Sequence, residues 1–242
     1  MSGLIGRLAL VAAVLAAVFV ASAAPAYRHA GVDLPHAFEL MRGGTYAAGA
    51  AGALAVIWLV LALVGRSAMG LGSVVLALVI AAGAAYFPIS MKLKADSLPF
   101  IHDVTTDTAN PPVFVAIAPI RADAPNGVDY TTDPALQQKG YADIQPLTSD
   151  LAPAVLFEKA LKVAKDMGWE IGAVSPEQGR IEATDTTAWW GFKDDIVIRV
   201  VAAGAGSRLD IRSMSRVGKS DVGKNAERIR AFMERLKAAN QA

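Results

Sequence analysis

The sequence predicts an α+β protein in two parts. A three-helix transmembrane anchor comes first. A soluble α-β-β-β-β-α domain with an antiparallel sheet follows, wrapped by an extended Pro-rich segment. Three observations predict this. Residues 8–24, 46–64 and 68–87 are apolar runs without a formal charge, and Arg66 sits in the gap between the second and third. Each run is about long enough to cross a ~30 Å hydrocarbon layer at ~1.5 Å per residue. Beyond residue 150, helical and then alternating hydrophobic spacing takes over.

The mean hydropathy of +0.39 averages two populations. Residues 1–90 carry four Lys/Arg and two Asp/Glu, whereas residues 91–242 carry nineteen and twenty. This places an anchor at 1–90, an extended segment at 91–150 and an α+β core at 151–242, enough chain for one core. The basic residues concentrate late, with ten Lys/Arg against four Asp/Glu over 199–242. A net charge of +1 gives no support for nucleic-acid binding. The absence of cysteine excludes disulfides, thiolate metal sites and thiol catalysis.

The first run, between Arg7 and Ala21-Ser22-Ala23-Ala24, also has the outline of a cleavable signal sequence. Two further spans close behind it favour an uncleaved span. Asp33-Leu34-Pro35 reads as a helix start, with Phe38 and Met41 on one face of a short amphipathic connector lying on the membrane surface. Ala12/Ala16, Ala48/Gly52 and Gly49/Ala53 have the small-residue spacing that lets helices approach closely. Gly65-Arg66-Ser67 joins the second and third runs as a tight hairpin. No span carries a charge, so transport and proton relay have no support.

Seven prolines between Pro99 and Pro146 exclude long helices from the next segment, and residues 112–117 read as one strand. A tract of this length without regular structure is expected to wrap the core that follows it. Pro153 then opens a helix through Leu156, Ala160, Val163 and Met167, with Gly168 at its end. Four strands follow, around Trp169–Ala173, Ile181–Asp185, Ile196–Val200 and Leu209–Ser213. Val222, Ala226, Ile229, Met233 and Leu236 mark a final amphipathic helix starting near Ser220-Asp221. Short connections imply an antiparallel meander with both helices on one face, leaving Val174, Val197, Val201 and Met214 among charges on the other.

The chemical candidates are few. Arg212, Arg216, Lys219 and Ser220 lead into the last helix and form a candidate anion site, in which helix amides and guanidinium groups would hold a phosphate. Asp221 competes for the same amides, and the arginines have Asp185, Asp194 and Asp195 as alternative partners. Those three carboxylates are a possible acidic cluster, but neighbouring strand residues point to opposite faces, which separates Asp194 from Asp195. Trp189, Trp190 and Phe192 beside Lys193 form a candidate contact loop for a membrane surface or a partner. His29, His36 and His102 share no metal-ligand spacing, and no nucleotide or cofactor fingerprint is present, so neither a metal nor a cofactor is expected.

Several segments together resemble one family. They include Phe100-Ile101-His102-Asp103-Val104-Thr105-Thr106-Asp107, then Asn110-Pro111-Pro112, and Gln138-Lys139-Gly140-Tyr141-Ala142-Asp143-Ile144. Ala183-Thr184-Asp185-Thr186-Thr187 and Gly191-Phe192-Lys193-Asp194-Asp195-Ile196-Val197-Ile198-Arg199-Val200 follow. The last runs from Arg212-Ser213-Met214-Ser215-Arg216 through Val217-Gly218-Lys219-Ser220-Asp221 to Asn225-Ala226. Over about residues 97–238 the chain resembles the domain-of-unknown-function family numbered 1499, and its anchor resembles that of proteobacterial members. The resemblance implies a domain without an assigned reaction, a bacterial inner-membrane location and a periplasmic domain. Charge counting pulls the other way: Arg7 and Arg66 fall on one side, Arg28, Arg42, Lys92 and Lys94 on the other. The expected function is a membrane-anchored, non-catalytic envelope module that binds a partner protein or an anionic lipid. A hydrolase of phosphate-bearing or lipid substrates and a cytoplasmic-face regulator are the alternatives.

Overall fold

The computed structural model describes residues 2–65 and 70–241. The chain divides into two compact units, residues 1–94 with 189–191, and residues 95–188 with 192–242. The expected turn residues Arg66 and Ser67 lie outside the described residues.

The first unit is built on three helices, α1 (Ser2–His29), α2 (Leu34–Val64) and α3 (Leu71–Ser97), each long and apolar enough to cross a membrane. All three are longer than the apolar runs, because nothing in the flanking polar sequence stops a helix whose interior is already formed. The expected surface connector is therefore part of α2. Asp33 caps α2 as its sequence suggests, accepting from the His36 amide at 2.9 Å, with Pro35 in the first turn. The interior of the unit is lined by small side chains, including Ala9, Ala13 and Ala16 of α1, and Ala48, Ala51 and Ala55 of α2, beside Trp58. Ala16 and Ala48 thus serve the close contact expected of them, while Gly49 faces open space. Gly44 makes the tightest approach: a Cβ there would lie 2.8 Å from a methyl of Val20. The larger side chains, Leu8, Val11, Leu15, Ile57 and Val60 among them, point outward.

The second unit carries a six-stranded antiparallel sheet. Four strands form the expected meander, β3 (Glu170–Ser175), β4 (Arg180–Thr186), β5 (Lys193–Ala203) and β6 (Gly206–Ser215). Two short strands from the extended segment, β1 (Asp103–Thr105) and β2 (Leu147–Ser149), both pair with the outer edge of β6. The wrapping tract thereby closes an edge that would otherwise expose a row of unpaired backbone groups. A short helix, α4 (Pro134–Gly140), lies within the tract. The amphipathic helices α5 (Pro153–Asp166) and α6 (Lys224–Gln241) cover one face of the sheet together. Leu156, Phe157 and Ala160 meet Ile229, Phe232 and Leu236 over Ile181, Ile196, Ile198, Leu209 and Ile211. Trp169 stacks on Phe232 with ring centroids 5.4 Å apart.

Two sequence expectations are corrected here. Residues 112–117 are not a strand. Their amides converge on one side chain instead of a ladder: Val115, Ala116 and Ile117 donate to the Glu182 carboxylate at 2.8–3.1 Å. And α6 starts at Lys224, not at Ser220-Asp221, because Val222 and Gly223 both take positive φ, +52° and +81°, and turn the chain before the helix begins.

Candidate functional site

The second face of the sheet holds a small apolar patch of Phe114, Ile117, Val197 and Met214, surrounded by buried charge. Strand alternation puts Glu182 and Thr184 of β4, Asp195 of β5 and Arg212 of β6 on this face. Residues 103–133 cover it. Arg212 forks onto Asp103, with Nε donating to Oδ1 at 3.0 Å and Nη2 to Oδ2 at 2.7 Å. It also donates to the carbonyls of Pro112 and Val128, and its guanidinium lies over the Phe114 and Tyr130 rings. Arg121, from a 3-10 turn at Ala118–Arg121, donates to Asp195 at 2.6 Å and to four carbonyls, those of Asn126, Gly127, Met214 and Ser215. Arg216 forks onto the same Asp195, with both contacts at 2.8 Å, and Thr184 donates to it at 2.7 Å.

The candidate anion site is thus distributed. Arg212 and Arg216 each carry a carboxylate of the chain itself. Lys219 is exposed, and the Ser220 hydroxyl accepts from the Val222 amide at 3.3 Å. Asp221 occupies the start of α6, accepting from the amides of Gly223 and Asn225 at 2.9 and 2.7 Å. Burial pushes Asp195 up, but its hydrogen bonds from Arg216, Thr184 and Arg121 outweigh that and hold it below the usual carboxylate range. The same contact raises Arg216. Burial dominates at Asp103 and Asp221 and pushes both upward. It also pushes the Tyr130 phenol up to about 12.

The acidic cluster divides as strand geometry requires. Asp185 and Asp194 are cross-strand neighbours and share Arg228 of α6, at 2.8 and 2.6 Å. Asp195 lies on the other face. Arg228 also meets Ser213 and Asn225, and Asn225 bridges to Ser215 and the His102 carbonyl, so this buried group is satisfied internally. A third network joins Arg199 and Arg208 to Asp107 and Asp210 at 2.9–3.0 Å. Among the described residues no group of three or more His, Cys, Asp or Glu could hold a metal ion.

Glu182, Arg121 and Arg228 were not found from the sequence. Arg228 had a usable signal, since Asn225, Arg228 and Phe232 follow i, i+3, i+7 spacing on the buried stripe of α6. Arg121 and Glu182 had none, because Asp195 and the Ile117 amide, which they hold, lie 74 and 65 positions away.

In the first unit, Trp189 and Trp190 meet aromatic rings of the helices. Trp189 lies 4.8 Å from Phe87, and Trp190 lies 4.8 Å from Phe38 and 6.3 Å from Tyr27. Phe192 belongs to the second unit, where its amide donates to the Thr187 hydroxyl at 2.9 Å.

Apart from these networks, the second unit has an open groove of about 520 Å³. The N-terminus of α5, the turn between β3 and β4, and the end of β5 form it. Pro153, Phe157, Pro176 and Val201 line it, with Glu158 and Glu177 as its charged side chains. Its floor is tight: Val200 donates to the Gly179 carbonyl at 2.8 Å, and a Cβ at Gly179 would fall 2.0 Å from the Val200 carbonyl oxygen.

A family model described as "Protein of unknown function (DUF1499)" matches residues 103–236, more than half of the chain. No curated protein matches it.

Proposed function

We propose that this chain, which belongs to the DUF1499 family, is a membrane-anchored, non-catalytic module whose sheet domain captures a segment of a partner protein. One observation carries this reading. The sheet domain's open groove is apolar-floored, whereas its clustered charges lie elsewhere and are paired with one another. A hydrolase built on these aspartates would need one of them free to move protons. Asp185, Asp194 and Asp195 instead accept from Arg228, Arg121 and Arg216. Among the described residues, the charges lining the groove are Glu158 and Glu177. The segment that suits it carries basic side chains between apolar ones. The anchor comprises the three long apolar helices. The bacterial inner membrane with the sheet domain in the periplasm is the proposed location.

The test is a photo-crosslinking side chain in place of Val201, which is exposed in the groove. The expected result in intact cells is one discrete protein adduct that Glu158→Lys with Glu177→Lys abolishes. Absence of any adduct, or one indifferent to the charge reversal, overturns the reading. Location is tested separately with Lys139→Cys, which a membrane-impermeant maleimide labels in intact cells only if the domain is outside the cytoplasm.

A further inference from the structure

The first unit has a groove of its own, about 500 Å³, lined by Phe19 of α1 and by His36, Glu39, Leu40, Gly43 and Ala47 of α2. Gly43 and Gly44 create it together. Gly44 brings α2 against Val20 and Phe19, whereas a Cβ at Gly43 would meet nothing within 4 Å. One helix turn is therefore in tight contact, and the neighbouring residue leaves a slot.

The charge distribution along α2 sets the depth of that slot. His36, Glu39 and Arg42 all fall in the first nine positions, and residues 43–64 are uncharged. That uncharged stretch is about 33 Å long at ~1.5 Å per residue, matching a ~30 Å hydrocarbon layer. His36 and Glu39 then lie at headgroup level, with Gly43 and Ala47 at the top of the acyl region. The slot is polar at its outer end and apolar at its inner end.

Two polar side chains, His36 and Glu39, line the outer end. His36 Nδ1 is 2.6 Å from Asp33 Oδ1, so that imidazole is already held. Glu39 has Arg42 at 3.9 Å, longer than a hydrogen bond. Its carboxylate is the group best placed to accept from a ligand in the slot.

We propose that this slot is a binding site for a phospholipid with a primary-amine headgroup. The ammonium donates to Glu39, and one acyl chain lies along Phe19, Leu40, Gly43 and Ala47. A quaternary amine has no N–H to donate, and an uncharged polyol headgroup brings no cation to the carboxylate. The inference rests on the membrane anchoring proposed above.

The experiment uses the full chain, extracted from membranes and delipidated in an uncharged detergent. Native mass spectrometry then follows binding from an equimolar mixture of phosphatidylethanolamine, phosphatidylcholine and phosphatidylglycerol with identical acyl chains. The expected result is a preference for phosphatidylethanolamine of roughly threefold to tenfold, the worth of one partly hydrated charge-assisted hydrogen bond. Glu39→Gln removes the preference while leaving acyl binding. Gly43→Leu fills the slot and lowers occupancy of all three lipids. Ala47→Leu does the same from the deeper end, should Gly43→Leu fail to give a folded protein. Equal binding of the three lipids, a preference that survives Glu39→Gln, or occupancy unchanged by both leucine variants overturns the proposal. Failure of anchoring would be distinct, since the protein would leave the membrane fraction in high salt without detergent.

Discussion

Glu182→Gln is the most informative single change in the sheet domain, because it alters charge and acceptor number without altering shape. The carboxylate accepts from three consecutive backbone amides, Val115, Ala116 and Ile117, and pairs with Arg180 at 2.9 Å. It is fully buried. Glutamine keeps one acceptor oxygen and turns an NH2 group toward donors. About two charge-assisted hydrogen bonds are lost, each worth ~1.5–3 kcal/mol net. The amides of exposed Val115 and Ala116 recover part of this from water, whereas Ile117 is buried. The expected loss is about 3 kcal/mol, a large share of a domain stability of ~5–15 kcal/mol. The loss should be local first. Hydrogen exchange on the full chain in uncharged detergent would show protection at residues 115–117 falling roughly a hundredfold, at ~1.4 kcal/mol per decade. Amides of Ile198 and Ile211, in the middle of the sheet, should change far less. Unchanged exchange at 115–117 would refute the view that this carboxylate holds the tract. So would an equal loss everywhere, because the tract would then not be a separable layer.

Three other outcomes follow from the same networks. Asp103→Asn and Arg212→Met should each cost about 3–5 kcal/mol by stranding a buried partner, and the double variant should cost clearly less than their sum; additive losses in thermal melts would show that the pair is not coupled. Asp195 is held below its unfolded value of about 3.8, so its stabilisation is complete above that pH and is lost as pH falls through the folded value. The gap in Tm between the native chain and Asp195→Asn should therefore be full at pH 6 and close below pH 3.8, whereas the upward shifts at Asp103 and Asp221 act in the opposite sense. Gly179→Ala should destabilise by at least about 2 kcal/mol, since φ is +60° and the added carbon would collide with the Val200 carbonyl; a neutral result in a thermal melt would refute the tight groove floor.

The elements that sequence reading placed correctly are those in which neighbouring residues carry the whole signal. The apolar runs mark α1 to α3, the spacing of Leu156, Ala160 and Val163 marks α5, and alternation marks β4 to β6. Separation of Asp194 from Asp195 was legible for the same reason, because strand geometry alone sends them to opposite faces. The expected strand over 112–117 failed because the partner of those amides is a side chain about 65 positions away. Nothing near 112–117 encodes Glu182.

By itself, then, the sequence determined the two-part division, the three apolar helices and the helix-backed antiparallel meander. These depend on local periodicity and on transfer of apolar side chains out of water, both of which are written in short windows of chain. Tertiary structure alone decided which charges meet. It put Arg212 on Asp103 and Arg121 with Arg216 on Asp195. It also gave Asp185 and Asp194 to Arg228, so Arg212 and Arg216 of the candidate anion site and all three acidic candidates have internal partners. Ion pairing depends on distances of a few ångströms between residues up to 109 positions apart. A buried charge must find some partner, but only the folded backbone determines which one.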